Sequence, residues 1–315
     1  MFNVKKAALD RVLIFFNLQS YQAGITTSFA GHVLEGGSMS ENVMVTQIEK
    51  AESFRALHER DGAFLMPNPW DAGSARLLAG LGFEALATTS SGFANSLGRL
   101  DGQVTRDEVI EHCRSLSAAT DLPISADLEN CFADDPAEAA ETILLAAQAG
   151  VVGGSIEDYS GDPLNPIYEF KLAVERVHAA AEAARLLGFP FTLTARAENL
   201  LHGRHDLDDT LRRLQAFEAA GADVLYAPGL TTLDEVRLVT GALSKPVNVL
   251  APLLKGVTIK QLADAGARRI STGGALARAA ITVLLRAGGE MLERGSFAWT
   301  SDVASSADVK KLLSA

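Results

Sequence analysis

From about residue 50 the chain repeats one unit: an Ala/Leu-rich stretch, a glycine, then a short apolar or β-branched run. The joints end in Gly82, Gly150, Gly188, Gly221 and Gly266. Glycine just past a helix enters the left-handed region without a Cβ clash, so these joints predict helix ends. Before Gly221, the residues Leu207, Leu211, Leu214 and Phe217 share one helical face, with Asp208, Arg212 and Arg213 elsewhere. The apolar runs predict eight strands: Ala63–Asn68, Ala85–Ser90, Pro123–Glu129, Gly153–Asp158, Phe191–Arg196, Val224–Pro228, Val247–Ala251 and Arg269–Gly273. Most are short and apolar throughout, as strands buried on both faces are. Successive strands lie about 20–40 residues apart, room for a helix and two loops. Eight β-then-α units predict an α/β fold, the (β/α)8 barrel. An open doubly wound sheet is the competing arrangement, weakened by the lack of a GxGxxG turn after the first strand.

Residues 1–45 lack this periodicity and contain Gly36-Gly37-Ser38, so they are expected to form a poorly ordered appendage. The barrel is expected over 46–300, with a C-terminal tail at 301–315. The length of 315 residues exceeds the roughly 250 of a barrel mainly by the appendage and the tail.

Composition narrows the partners. There are 39 acidic and 28 basic residues, a net charge of −11. That argues against nucleic acid, which needs a field of Lys and Arg, and against an anionic membrane surface. An acidic small substrate stays possible, because one arginine or one metal reverses the field locally. Cys113 and Cys131 form no CxxC or metal spacing, which points to a reducing compartment, the cytoplasm. Lys5 and Lys6 precede the apolar stretch Val12–Phe16, but Asp10, Arg11 and Asn17 interrupt it, so no export signal is expected. No apolar run reaches the roughly 18 residues of a membrane span.

Barrel chemistry collects at the C-terminal ends of the strands. There the second strand ends in Thr88-Thr89-Ser90-Ser91-Gly92, with its loop running on to Asp101. The third ends in Asp127-Leu128-Glu129-Asn130, the fourth in Glu157-Asp158, and the fifth in Arg196, followed by Glu198 and Asn199. So many acids cannot all ionise in a dry pocket without a cation. A hard, oxygen-ligated divalent ion solves this: Mg2+, with Mn2+ as the alternative, keeping several waters. Asp127 and Glu129 fall two apart on an expected strand, so their side chains point to one face. With Glu157 and Arg196 at equivalent heights on the next two strands, Asp127, Glu129 and Glu157 form the expected metal site. The plainer alternative is a set of mouth acids bonded to loop amides. Ser90-Ser91-Gly92 is a small-residue turn whose amides could hold a carboxylate or phosphate, or simply a helix entry. His202, after the fifth strand, is a candidate proton donor. None of the eight strands contains a lysine, which sets aside Schiff-base chemistry.

The strings NPWDAGSARLL (68–78), SADLENCF (125–132), GGSIEDYSGDP (153–163) and TLTARAEN (192–199) together resemble the isocitrate lyase/phosphoenolpyruvate mutase superfamily over residues 50–300. The resemblance implies a barrel whose eighth helix is exchanged between subunits of a homodimer or homotetramer. It implies Mg2+-stabilised enolates in making or breaking C–C or C–P bonds beside a carboxylate. The backbone at Ser90, Ser91 and Gly92 would hold a substrate carboxylate, and Asp101 would sit on a mobile gating loop near the metal's waters. Asp127 would ligate the metal directly, with Glu129 and Glu157 holding its waters. Glu129 stands where many relatives have Asp. Arg196 would neutralise the developing enolate, and Asn165, eight residues past Glu157, matches a substrate-binding Asn of the mutase branch.

Departures from the family pattern bear on the substrate. Isocitrate and methylisocitrate lyases carry a KKCGH-like loop after strand four, whose Cys serves as acid and base. Here that loop reads SGDPLNPIYEF, with neither Cys nor His. Tyr226-Ala227-Pro228-Gly229 also lacks the acid or His found at the end of strand six in characterised lyases and mutases. The expectation is therefore a Mg2+-dependent lyase cleaving a C–C bond of a small oxaloacetate-like 2-oxo or hydroxy acid. The alternatives are a phosphonomutase or C–P-cleaving enzyme, and a catalytically silent barrel used for binding.

Overall fold

The computed structural model describes residues 45–314, and the appendage expected at 1–45 lies, but for Val45, outside them. Eight parallel strands form one sheet: β1 (Phe64–Met66), β2 (Leu86–Ala87), β3 (Ile124–Ala126), β4 (Gly153–Glu157), β5 (Thr192–Arg196), β6 (Val224–Tyr226), β7 (Val247–Leu250) and β8 (Arg269–Ser271). Each lies inside an expected strand and is shorter at one or both ends. Helices fill the connections: α1 (Gln47–Glu59) precedes β1, and α2 (Ala72–Gly80) follows it. Then come α3 (Ser90–Ser96), α4 (Arg106–Ala119), α5 (Pro136–Gln148), α6 (Phe170–Arg185), α7 (Leu207–Ala220), α8 (Leu233–Gly241), α9 (Ile259–Asp264), α10 (Ala275–Arg294) and α11 (Ser306–Leu313).

The hydrogen-bonded strand order runs β1-β8-β7-β6-β5-β4-β3-β2. Between β1 and β2 the seam is closed by Ala87 N donating to the Pro67 carbonyl at 3.1 Å. Asn68 reinforces it. Its Nδ2 donates to the Thr88 carbonyl, and its Oδ1 accepts from the amides of Thr272 (3.0 Å) and Gly273 (2.8 Å). The result is the (β/α)8 barrel.

The opposite end is plugged by α1. Thr46 and Glu49 form a capping box at its start, and Phe54 packs fully buried against Phe64, Ala85 and Val152 near the strand beginnings. Lys50 Nζ donates to the carbonyls of Ser117 (3.2 Å) and Thr120 (2.7 Å), serving the end of α4. α1 thus covers the end of the barrel opposite the strand C-termini.

The glycine joints behave as expected at Gly82, Gly150, Gly221 and Gly266, all at positive φ. At Gly221 (φ 109°) a Cβ would also press on the Ala181 methyl at 3.1 Å, so both backbone and packing demand glycine. Gly188 differs: α6 ends at Arg185 with right-handed Leu186, and Gly188 is an ordinary loop residue. After the barrel, Ser305 and Asp308 cap α11, which lies on α2 through Arg76 Nη2 and the Leu313 carbonyl at 2.6 Å. Most of α10 is uncovered in the single chain, with Leu284, Leu285 and Leu292 at 71%, 69% and 90% exposure.

Candidate active site at the strand ends

Arg196 closes β5, in register with Glu157 on β4 and Tyr226 on β6. Its guanidinium gathers three acids. Nη1 donates to Asp127 Oδ1 at 2.9 Å, Nη2 stands 3.1 Å from Glu157 Oε2, and Nε donates to Glu198 Oε1 at 2.7 Å. The Tyr226 ring lies against it, 5.1 Å from ring centroid to Cζ. Local structure fixes each acid. Asp127 N donates to Thr88 Oγ1 at 2.7 Å, and Oδ2 accepts from Ser90 N at 3.0 Å. Glu198 N donates to Asp158 Oδ1 at 2.7 Å, and Asp158 is paired with buried Arg213 at 3.1 Å.

The electrostatics are lopsided. Burial and the neighbouring Glu198, Asp127 and Glu129 hold the Glu157 carboxyl well above its ordinary value, with Arg196 opposing. Burial, then Asp127 and Asp101, push Glu129 up to about 7. Asp101 is exposed as a residue, but its carboxyl turns inward beside Ser90; burial and Asp127 raise it, and the Ser90 hydroxyl opposes. Burial works against the charge of Arg196, yet Glu198, Glu157 and Asp127 keep it firmly protonated. Asp101, Asp127, Glu129, Glu157 and Glu198 thus crowd one guanidinium.

The residues expected at the site from the sequence divide into two groups. Asp101, Asp127, Glu129, Glu157, Ser90 and Arg196 come together. Glu129 is not on the expected strand, because β3 stops at Ala126. It sits in the left-handed region (φ 49°), and this turn, not strand alternation, brings it beside Asp127. The Ser90-Ser91-Gly92 turn is the start of α3, capped by Thr89 Oγ1 to Gly92 N, and the Ser90 amide is already taken by Asp127. Gly92 is demanded by packing: a Cβ would meet Thr89 Cγ2 at 2.6 Å and Trp70 Cβ at 3.1 Å. Asn165 stands apart, exposed in the hairpin after β4, where its Nδ2 donates to Asp162 at 3.2 Å. His202 stacks on Tyr159, with 3.9 Å between ring centroids and 6° between planes. Burial lowers its pKa, with Glu198 opposing. Cys113 and Cys131 are buried, unpaired thiols whose pKa burial raises to about 12.

Glu198 and Tyr226 are the contacts missed as site residues. Glu198 was visible beside Arg196, but its inward direction follows from the Asp158 bond and not from spacing. At Tyr226 the sequence shows only the lack of an acid, whereas the parallel register makes this residue the neighbour of Arg196.

These residues suit a hard cation. All the donors are oxygens, and the raised carboxyls of Glu129 and Glu157 are those a positive charge would relieve. Among the described residues no three acidic, His or Cys side chains converge on one point.

Known proteins place the chain. The phosphoenolpyruvate phosphomutase family model matches residues 54–292. A candidate lyase/mutase from Burkholderia cenocepacia J2315 superposes with a TM-score of 0.83 at 56% identity, over 85% of this chain and 97% of that one. The 2-methylisocitrate lyase of Halalkalibacterium halodurans is 28% identical over 76% of each chain. The oxaloacetate decarboxylase of Paraburkholderia xenovorans is 28% identical over 61% of this chain and 66% of its own length. The chain belongs to the phosphoenolpyruvate phosphomutase family, within the isocitrate lyase/phosphoenolpyruvate mutase superfamily.

Proposed function

We propose that the protein is a carbon–carbon lyase acting on a small 2-oxo or hydroxy acid of the oxaloacetate type, with Mg2+ as cofactor. The reading rests on one observation: Asp127, Glu157 and Glu198 all contact the single guanidinium of Arg196. Such a mouth repels an acidic substrate unless a cation joins it. Asp127, Glu129 and Glu157 would hold that cation, with Asp101 beside them, and Mn2+ suits the same oxygen donors. Mg2+, when bound, supplies the positive charge that stabilises the electrons released beside the oxo group.

The chain's own groups do the rest. The turn at Ser90, Ser91 and Gly92 would receive the substrate carboxylate through the Ser91 amide and the serine hydroxyls, since Asp127 and Thr89 hold the amides of Ser90 and Gly92. As the C–C bond breaks, CO2 leaves and the electron pair enters the enolate of the remaining 2-oxo acid. Arg196, held protonated, faces the oxygen on which that charge grows. A solvent proton then completes the product at carbon. This chemistry needs no Cys in the loop after β4, and SGDPLNPIYEF supplies none, which favours decarboxylation over methylisocitrate cleavage. Asn165, bonded to Asp162 in the turn after β4, would meet the substrate only if that turn folds over the mouth.

The phosphonomutase reading draws on the matched family's name. One assay separates the two: purified protein with Mg2+ is given oxaloacetate or phosphonopyruvate, and pyruvate, CO2 and phosphate are measured. The lyase reading requires CO2 from oxaloacetate, lost in Asp127→Ala and Arg196→Ala. Phosphate or phosphoenolpyruvate from phosphonopyruvate alone favours the mutase branch, and no turnover favours a binding barrel.

In the proposed assembly α10 is exchanged between copies in a homodimer or homotetramer, which would cover Leu284, Leu285 and Leu292. No described helix is long and apolar enough to cross a membrane. The free thiols of Cys113 and Cys131 suit a cytoplasmic setting.

A further inference from the structure

Among the described residues, three other than glycine have positive φ: Glu129 (49°), Cys131 (57°) and Phe132 (58°), all in the turn that follows β3. Left-handed backbone at residues with a Cβ is strained and persists only where surrounding bonds enforce it. Here they do, carbonyl by carbonyl. The Leu128 carbonyl accepts from Cys131 N at 2.7 Å, and that of Glu129 from Glu157 N at 3.1 Å. The Cys131 carbonyl accepts from Thr142 Oγ1 at 2.8 Å. The carbonyls of Asn130 and Ala133 share one donor, Nη2 of Arg176 on α6.

Arg176 is an expensive anchor. It is 1% exposed, it bonds carbonyls and not carboxylates, and its Nε and Nη1 have no partner among the described residues. Its guanidinium sits 4.1 Å from the Tyr168 ring centroid, and the Tyr168 hydroxyl links to Asn130 and Asp134. A charge buried without a counter-ion costs stability, and what it secures is two carbonyls of the turn that an apolar side chain would leave unbonded. The turn that Arg176 holds is the one that swings Glu129 off the strand and beside Asp127.

We infer that Arg176 is a positioning residue: it clamps the left-handed turn at residues 129–132 and thereby holds Glu129 at the cation side of the site. The inference builds on the proposed Mg2+-dependent function. Arg176 touches no reacting atom and acts through the turn alone. A glycine in the turn, which accepts left-handed backbone freely, should therefore make the clamp dispensable.

The test compares wild type, Arg176→Met, Tyr168→Phe and the double variant Arg176→Met/Cys131→Gly. Calorimetry reads oxalate binding in Mg2+, and amide hydrogen exchange reads residues 131–133. Arg176→Met should exchange faster there and bind Mg2+–oxalate about 10- to 100-fold more weakly. Cys131→Gly in that background should restore most of the affinity. Tyr168→Phe keeps the ring but drops the link to Asn130, and should shift both readouts the same way by less. It covers the case in which Arg176→Met does not fold. Unchanged exchange and affinity in the folded Arg176→Met variant, or in Tyr168→Phe, overturns the clamp. So does a loss that Cys131→Gly fails to recover. Wild type that binds no Mg2+–oxalate overturns the lyase reading instead, and exchange at 131–133 then decides the clamp alone.

Discussion

Arg196 Nε and Glu198 Oε1 stand 2.7 Å apart, two residues from each other in sequence, with Glu198 only 2% exposed. The pair orients the guanidinium: with Nε committed to Glu198, Nη1 and Nη2 face Asp127 and Glu157. A planar fork with three separate engagements is not replaceable by a point charge. Arg196→Lys is therefore expected to lose about 100- to 1000-fold in kcat, the scale of an oxyanion donor. Glu198→Gln, which keeps the shape without the charge, should lose about tenfold, as supporting partners do. Steady-state kinetics with circular dichroism to confirm folding checks both, and near-wild-type kcat in Arg196→Lys contradicts the role.

Stability should depend on pH and Mg2+ together. Burial, with Asp127 and Asp101, raises Glu129 from 4.5 to about 7, and burial raises Asp158 from 3.8 to about 6. In this window the folded protein holds more protons than the unfolded chain, so stability falls as pH rises through it. Mg2+ requires the ionised carboxylates and offsets their repulsion. The gain in Tm from added Mg2+ is thus expected to be larger near about pH 8 than near about pH 5. Thermal melts across pH, with and without EDTA, measure it; a Mg2+ effect that is flat with pH counts against Glu129.

The seam residue Asn68 offers a prediction about the fold itself. Asn68→Ala leaves the Thr272 and Gly273 amides without their acceptor. Each orphaned donor costs about 1–3 kcal/mol, so the variant should unfold at clearly lower denaturant. A midpoint equal to wild type contradicts closure through this side chain.

All eight strands were legible because strands buried on both faces leave short apolar runs between helical stretches, a pattern local to the chain. Their ends were less so. Pro123–Glu129 reads as one run, yet β3 stops at Ala126, because the chain leaves the ladder to make the left-handed turn. No propensity announces that turn at Glu129, Cys131 and Phe132, since it is enforced by Arg176, 45 residues away from Cys131. The acids around Arg196 were legible from their equivalent heights on neighbouring strands. Asn165 was less legible, because Asn-Pro suits both a binding loop and a plain turn, and here its side chain bonds Asp162.

The exposed leucines of α10 test the assembly. Leu285→Glu, at a position 69% exposed in the single chain, should leave the barrel folded but shift the protein to monomers. Light scattering on the variant and wild type reads the change. An unaltered oligomer, or a wild-type monomer, contradicts exchange of this helix.

The proposed reaction is Mg2+-dependent cleavage at the carboxylate-ringed arginine. Its most direct test is CO2 release from oxaloacetate by the pure protein, measured beside Asp127→Ala and beside EDTA-treated wild type. Release is expected well above the rate of free Mg2+ with substrate, abolished in both controls and restored to the treated wild type by Mg2+. Release that persists in Asp127→Ala and in EDTA, or that never exceeds the protein-free rate, contradicts it.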